Sequence, residues 1–212
     1  MERLSDLIVL IRGAGELATG VAHRLFSSHF RICLTDIDHP QAVRREVSFC
    51  EAVYEGEKTV EGVVTMRVAS PGEIGEAWRA GKIPLLVDPE AKVRDSVKPD
   101  VLVDAILAKK NLGTQIGDAH LVIGLGPGFT VNKDVHVVIE TNRGHHLGRM
   151  LLSGQAEPNT GVPGEIAGFA ADRVLGAPGA GTFLTIKNIG DFVKPGDGVA
   201  TVNDEPVRAR IS

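Results

Sequence analysis

The sequence predicts an α/β fold, a Rossmann-like parallel sheet with helices on both faces, followed by a small β module. A buried apolar strand at residues 7–11 leads into a glycine-rich turn, an amphipathic helix and a second apolar strand at 30–35. Strands and helical segments alternate further along the chain, as they do around a parallel sheet. After residue 150, short strands alternate with Gly-Asp turns, so we expect domains at 1–150 and 151–212.

The turn after the first strand predicts a dinucleotide-binding site. Gly13, Gly15 and Ala18 fit the glycine fingerprint, whose third position accepts alanine. Gly13 permits the tight turn, and Gly15 lets the backbone approach a pyrophosphate. The free N–H groups of the turn and of the helix start, with the positive end of the helix dipole, then attract the phosphates. The cofactor-binding residues predicted for this site are Gly13, Ala14, Gly15, Glu16, Leu17, Asp36 and Gly126.

An acidic residue, Asp36, ends the second strand about 20 residues after the glycines, where a carboxylate accepts hydrogen bonds from a ribose diol. Its charge repels a 2′-phosphate and favours an NAD-like ligand over an NADP-like one, and Asp38 adds to this preference. Arg44 and Arg45 have two interpretations: they contact an adenine or a phosphate, or they lie on a solvated helix face. The alternative interpretation is a glycine turn and a surface acid in a fold that binds no nucleotide.

The remaining predicted elements place more acidic residues at the ends of strands. Helices are expected at 16–28, 70–80 and 90–97, and strands at 60–68, with a local irregularity at Gly62, and at 83–87, 100–103 and 135–139. Ligands bind beyond the carboxyl ends of the strands in such sheets. Asp88 and Asp104 follow two of these strands, so we expect them to lie near Gly13, Gly15 and Asp36.

Three residues are candidates for catalysis, namely Lys109, Glu140 and His145. Lys109 follows the end of a strand, where it can pair with a phosphate or a carboxylate. The alternative is that it lies at a solvated helix end, where cations are favoured. Glu140 opens the densest polar cluster of the chain, where a carboxylate and one histidine suit substrate binding or acid–base chemistry; structural hydrogen bonding is the alternative. Adjacent His145 and His146 point to opposite sides of an extended chain, so no metal site is predicted.

A second glycine-rich stretch, at residues 124–128, leads into another strand rather than into a helix. It is therefore not a second dinucleotide fingerprint. Gly126 is expected in a loop whose backbone either approaches a ligand or simply connects two strands.

Composition excludes several classes of partner. The chain has 212 residues, a net charge of −4 and no basic stripe, so nucleic acid is not an expected partner. No apolar run approaches the roughly 20 residues that span a bilayer, and the charged amino terminus is unlike a signal peptide, so we expect a cytoplasmic protein. Cys33 and Cys50 form neither a disulfide framework nor a metal motif.

The carboxyl-terminal segment resembles the first half of a biotinyl/lipoyl-type β-sandwich. The pattern Ala-Pro-x-x-Gly at 177–181 is followed by Gly-Asp-x-Val-x-x-Gly-Asp at 190–197. The segment has no lysine flanked by methionines, so no carrier lysine is predicted. Because half a sandwich leaves strand edges unpaired, we expect a truncated chain or a homo-oligomer that completes its edges between protomers.

Four segments together resemble a bacterial family. The segments are Ile11–Leu25, Ser48–Gly56, Gly124–Phe129 and Glu140–His145, and they look like the YqeB-type proteins of the selenium-dependent molybdenum hydroxylase system. The resemblance covers nearly the whole chain, minus an expected carboxyl-terminal continuation. It implies an accessory role in maturing a molybdenum hydroxylase and gives no catalytic residues. Related accessory proteins also contain a Rossmann-type domain, and the molybdenum cofactor exists in a cytosine dinucleotide form whose pyrophosphate suits the glycine turn.

Three functions follow from these observations. The first is a maturation protein that binds an NAD-like dinucleotide or the molybdenum cofactor dinucleotide and passes it to a molybdenum hydroxylase. The second is an NAD-dependent oxidoreductase acting on a small molecule, with Glu140, His145 or Lys109 as its proton donor. The third is a non-catalytic scaffold with an empty Rossmann fold.

Overall fold

The structure is a computed structural model that describes residues 4–161, 168, 169, 171 and 174–210. The chain divides into two compact units, Met1–Asn159 and Thr160–Ser212. The first unit extends past the boundary at residue 150 expected from composition, because a short strand at Met150–Leu151 still pairs with its sheet.

The described part of the first unit contains one nine-stranded sheet, and its fold is α/β. The strands are β1 (Ile8–Arg12), β2 (Arg31–Asp36), β3 (Glu57–Val60), β4 (Val63–Arg67), β5 (Ile83–Val87), β6 (Val101–Asp104), β7 (Leu121–Leu125), β8 (Val137–Ile139) and β9 (Met150–Leu151). Their spatial order is β3-β4-β5-β2-β1-β6-β7-β8-β9. The strands from β4 to β8 in this order are parallel, whereas β3 and β9 are antiparallel edge strands.

The core lies on both faces of β1, the central strand. Val9 and Ile11 pack on one face, with α1 (Glu16–Ser27) and α2 (Ala52–Glu55). Leu10 packs on the other face, with α3 (Ile74–Arg79) and α4 (Arg94–Val97). The first four positions of β1 are apolar, as a parallel strand covered on both faces requires, and Arg12 closes the strand.

Two predicted features of the first unit differ from the structure. The single strand expected at 60–68 is a hairpin, because Glu61 and Gly62 both have positive φ (46° and 83°) and reverse the chain between β3 and β4. The described connections from β6 to β7 and from β7 to β8 contain no α-helix, and a 3₁₀ turn at Ile116–Asp118 lies in the first of them. These connections are rich in glycine and lack an apolar helical period, so loops occupy the place of helices there.

The second unit contains a three-stranded antiparallel sheet among its described residues. Its strands are β10 (Phe183–Thr185), β11 (Gly198–Val202) and β12 (Glu205–Arg208), in the spatial order β10-β11-β12. Asn203 and Asp204 form the two-residue turn between β11 and β12, and both have the positive φ that such a turn needs. The small β module predicted from the sequence is therefore present as a separate antiparallel sheet.

Candidate functional site

The turn that follows β1 requires glycine at its first position. Gly13 has φ +93°, and its N–H donates to the carbonyl of Thr35 at 2.7 Å. A Cβ at this position would lie 3.1 Å from the backbone carbonyl carbon of Ala105. Gly13 therefore joins the end of β1 tightly to the ends of β2 and β6, as the predicted fingerprint demands.

Gly15 has a different environment from Gly13. It is the N-cap of α1 with an extended backbone (φ −69°, ψ −171°), a conformation open to any residue, and no side chain caps the helix. A Cβ at Gly15 would meet nothing within 4 Å. The next residues are accessible, since Glu16 is partly exposed and Leu17 is 48% exposed. Neither the fold nor the packing explains a glycine here, and no side chain of the described residues caps the first N–H groups of α1.

Asp36 lies directly beside this turn. Its Oδ2 accepts the N–H of Ala14 at 2.8 Å, and its Oδ1 accepts the N–H of Ile37 at 2.8 Å. Burial raises the pKa of Asp36 above its ordinary value, and the two backbone hydrogen bonds oppose this increase. The sequence led us to expect that the amides of the turn are free, but the Ala14 amide is bound by the acid itself. The carboxylate keeps further lone pairs with which it can accept hydrogen bonds from a sugar.

The two arginines after β2 pair with glutamates near the turn. Arg45 donates to both oxygens of buried Glu51, at 2.9 and 2.7 Å. Arg44 lies 3.9 Å from Glu16 and also donates its backbone N–H to that carboxylate. Neither arginine is therefore a free partner for a phosphate. The pairing of Glu51 was not predicted, because no sequence pattern distinguishes a buried glutamate from a solvated one.

The segment that contains Glu51 packs beneath the glycine turn. The backbone N–H of Cys50 donates to the carbonyl of Ala14 at 2.8 Å, and that of Phe49 donates to the hydroxyl of Thr19 at 2.9 Å. Burial, followed by the charges of Asp36, Glu51 and Glu16, raises the pKa of the Cys50 thiol to about 12. Cys50 is therefore a neutral packing residue rather than a nucleophile.

A buried ion pair at the ends of β1 and β6 was missed by the sequence analysis. Arg12 is 4% exposed, and its Nη1 lies 3.3 Å from Oδ2 of Asp104. The guanidinium also donates to the hydroxyl of Thr114 and to the carbonyls of Pro89 and Leu112, the latter two at 3.1 and 3.2 Å. The Thr114 hydroxyl in turn donates to Asp104 at 2.6 Å. Asp104 thus holds Arg12 and the following loop, rather than standing free for a ligand.

Asp88 also has a structural partner. Its Oδ2 accepts the backbone N–H of Val93 at 2.8 Å, so it orders the turn before α4. Of the acidic residues expected to meet at the carboxyl ends of the strands, Asp36 is the one that contacts the glycine turn. Arg12 and Asp104 occupy paired register positions of β1 and β6, a relation that is visible only once the order of the strands is known.

Packing within the chain accounts for Gly126. It has φ +75°, and a Cβ there would lie 2.5 Å from Oγ1 of Thr141 and 3.4 Å from Cδ2 of Leu107. Its neighbour Gly128 has φ +114°, and a Cβ there would lie 2.7 Å from Cα of Lys110. The loops after β6, β7 and β8 are therefore packed against one another, and the role of Gly126 in binding stays a prediction.

Glu140 is a buried carboxylate surrounded by backbone amides. It is 3% exposed, and its two oxygens accept the N–H groups of Thr141, Asn142 and Glu157, each at 2.7 Å. Burial alone would raise the pKa of Glu140, but these three hydrogen bonds outweigh it and lower the pKa below its ordinary value of 4.5. The arrangement suits a charged residue that orders the loop after β8.

The three candidate catalytic residues differ in their exposure to solvent. Lys109 and His145 are both exposed, whereas Glu140 is buried. In the described part of the chain, no hydrogen bond or ion pair joins any two of them. Their proposed role as proton donors stays a prediction without geometric support.

We expect Glu140→Gln to lower the free energy of unfolding by about 1–3 kcal/mol at pH 7, because an amide NH₂ replaces one acceptor facing a buried N–H. Since the folded-state pKa of Glu140 is lowered, its contribution is present above about pH 4.5 and is lost as the pH falls through the folded-state value. Urea unfolding at pH 7 and pH 4 measures this difference. From pH 7 to pH 4, the free energy of unfolding should fall less in the variant than in the wild type. Equal falls would contradict the assignment of Glu140 as a charged residue that orders the loop after β8.

Two further properties concern metals and membranes. No group of three His, Cys, Asp or Glu side chains within the described residues is arranged to hold a metal ion. Within the same residues, no helix has both the length and the apolar content that crossing a membrane requires.

The fold and the turn define the class as an α/β protein with an open, largely parallel sheet and an uncapped helix start after its central strand. The chain is similar to the Escherichia coli (strain K12) protein named "Uncharacterized protein YqeB", with 46% identity over 205 residues. The match covers 97% of this chain and 38% of that protein, so the chain spans well under half of that relative's length. No family model and no solved structure matches the chain. The similarity supports the YqeB-type family that the sequence motifs indicate.

Proposed function

We propose that this chain binds a dinucleotide or a nucleotide-bearing cofactor at the turn between β1 and α1, as an accessory protein that matures a molybdenum hydroxylase. The observation that carries the binding proposal is the environment of Gly15. This glycine has unoccupied space in front of it, an ordinary backbone conformation and an uncapped helix behind it. A backbone that must approach a phosphate closely explains all three features.

The strand order supports a Rossmann-like interpretation of the sheet. When the extra strand β4 is left out, the parallel strands follow the order β5-β2-β1-β6-β7-β8. This is the 3-2-1-4-5-6 order of doubly wound dinucleotide-binding sheets, in which the ligand lies where the order reverses. The reversal falls between β1 and β6, beside the glycine turn.

The position of Asp36 favours a ligand with a free ribose diol. The acid is fixed against the turn by the Ala14 amide and retains acceptor capacity for sugar hydroxyls. A 2′-phosphate at this point would meet the negative charge of Asp36. We therefore favour an NAD-like dinucleotide or the molybdenum cofactor dinucleotide over an NADP-like one.

The accessory role rests on two observations of different kinds. The resemblance to YqeB-type proteins connects the chain with the molybdenum hydroxylase system, and the similarity to YqeB supports that family. Glu140, the buried one of the three candidate proton donors, is already held by three backbone amides, which favours binding and transfer over turnover of a small molecule. We interpret the separate antiparallel sheet of β10 to β12 as part of a biotinyl/lipoyl-type module.

A thermal-shift series with NAD, NADP, AMP and CTP tests the binding proposal. A ligand present at about 100 times its Kd stabilises a protein by about 2.7 kcal/mol, which gives a measurable shift. We expect NAD to raise the melting temperature more than NADP does. We also expect no turnover of alcohols or hydroxy acids. Turnover would favour an NAD-dependent oxidoreductase, and no shift with any nucleotide would favour a scaffold.

We expect Asp36→Ala to weaken NAD binding about tenfold and to narrow the difference between NAD and NADP, because the variant loses the ribose acceptor and the repelling charge. Calorimetric titration with both nucleotides measures the two Kd values. Asp36→Asn is the matched control, since it keeps an acceptor for the Ala14 amide and removes the charge. An unchanged preference in both variants would contradict the ribose assignment.

A further inference from the structure

Four exposed cations lie at the edge of the sheet where the glycine turn lies. Lys109 and Lys110 follow β6, and Arg143 and Arg149 follow β8; we call these four residues the basic cluster. Because β6, β7 and β8 run parallel to β1, their following loops emerge at the same edge as the turn. The cluster therefore lies on the far side of the point where the strand order reverses.

Close backbone packing joins the loops that present these cations. A Cβ at Gly13 would lie 3.1 Å from the backbone of Ala105, at the start of the loop after β6. A Cβ at Gly128 would lie 2.7 Å from Cα of Lys110, and one at Gly126 would lie 2.5 Å from the hydroxyl of Thr141. The loop after β6 thus contacts the glycine turn and the loop after β7, which in turn contacts the loop after β8.

In the part of the chain that the structure describes, no ion pair compensates the charges of the four side chains of the basic cluster. The loops after β6, β7 and β8 contain three acidic residues, and each has a partner outside the basic cluster. Asp118 pairs with Arg94, Asp134 accepts the backbone N–H of Thr130 at 2.8 Å, and Glu140 is buried among backbone amides.

The half of the carboxyl edge near β2 is acidic rather than basic. Arg44 and Arg45 pair with Glu16 and Glu51, so Asp36 has no cationic partner among the described residues. Along the carboxyl edge, the charge therefore changes from acidic near β2 to basic near β6 and β8. This difference arises in a chain whose net charge is −4.

We propose that the distal half of the ligand, the half beyond the pyrophosphate from the ribose at Asp36, is anionic. The inference rests on the proposed function and concerns the same site. A dinucleotide in a doubly wound sheet extends across the reversal point, so its distal half lies over the strands that carry the basic cluster. The basic cluster repels the cationic ring of oxidised nicotinamide and attracts a group bearing phosphate, carboxylate or thiolate. The site thus selects an anionic cofactor half over a nicotinamide.

Two dinucleotides that differ in one group provide the test. NAD and nicotinic acid adenine dinucleotide are identical except for a carboxylate in place of the carboxamide on the distal ring. Calorimetric titration at low salt should give a Kd about fivefold lower for the carboxylate form, as expected for one added charge near several exposed cations. The preference should shrink as salt is added, because exposed charges are screened.

Charge-removing variants then assign the preference to the basic cluster. Lys109→Gln/Lys110→Gln and Arg143→Gln/Arg149→Gln should each reduce the fivefold preference to about twofold or less. The matched control is Arg24→Gln/Lys98→Gln, which removes two exposed cations from the last turn of α1 and from the segment before β6, at the opposite edge. The control should keep the full preference.

The outcomes separate this inference from the proposed function. Binding of both dinucleotides with equal affinity, or tighter binding of NAD, would overturn the inference and leave nucleotide binding intact. A preference that survives in both cluster variants would also overturn it. Failure of either dinucleotide to bind would overturn the proposed function, and the inference with it.

Discussion

Replacing Gly15 by valine is expected to weaken nucleotide binding about 100-fold while changing the free energy of unfolding by no more than about 1 kcal/mol. A Cβ at Gly15 meets no atom of the protein within 4 Å, so the added side chain projects into the space proposed for the pyrophosphate. Overpacking of a filled site costs about 1–3 kcal/mol, which corresponds to roughly 5–150-fold in Kd. The two local effects on folding, a poorer N-cap and a less flexible unfolded chain, are each about 1 kcal/mol or less and oppose each other.

The matched variant is Gly13→Ala, which should lower the free energy of unfolding rather than the affinity for nucleotide. Its positive φ and its 3.1 Å approach to Ala105 mean that a methyl group strains the fold, by about 1–3 kcal/mol. Both quantities are measurable on one sample. Calorimetric titration gives the Kd, and the fluorescence of Trp78, the single tryptophan and part of the first unit, reports unfolding. Wild-type affinity in Gly15→Val would contradict the proposed site.

The glycine turn could be predicted because its determinants are local. Gly13, Gly15 and the start of α1 lie within a few residues of one another, and each has a physical role that a spacing pattern captures. Asp36 was placed correctly beside the turn for the same reason, since it ends the strand that follows α1. What the spacing did not show is that the acid binds the Ala14 amide, because that contact depends on how β2 is set against the turn.

The Arg12–Asp104–Thr114 cluster could not be predicted, because its members are about 90 and 100 positions apart in sequence. The same limit applies to Glu140. The sequence around a glutamate at the end of a strand looks the same whether its carboxylate faces a substrate or three backbone amides. In the structure the two cases differ, because the chain returns at Glu157 and the N–H of that residue donates to Glu140. The loops after β6 and β7 also show why alternation of strands predicts a parallel sheet more securely than it predicts helices between them.

Asp104→Ala is expected to lower the free energy of unfolding of the first unit by about 3–5 kcal/mol, because it leaves the buried guanidinium of Arg12 without its counter-charge. The remaining acceptors are the neutral carbonyls of Pro89 and Leu112 and the hydroxyl of Thr114. Denaturant unfolding followed by Trp78 fluorescence measures this loss. A loss below about 1 kcal/mol would contradict the burial of the pair, since it would mean that water solvates Arg12 in the variant.

Two further variants separate the charge from the contacts around it. Thr114→Val keeps the ion pair and removes the hydroxyl, so it should lose only about 1–3 kcal/mol. The double variant Arg12→Met/Asp104→Leu removes both charges, and it should recover a large part of the loss because well-packed apolar residues often replace a buried ion pair without cost. Arg12 also donates to Leu112, so Asp104→Ala should loosen the loop that carries Lys109 and Lys110. The preference for an anionic distal half should then fall together with stability in Asp104→Ala, whereas in Gly15→Val affinity falls with little change in stability.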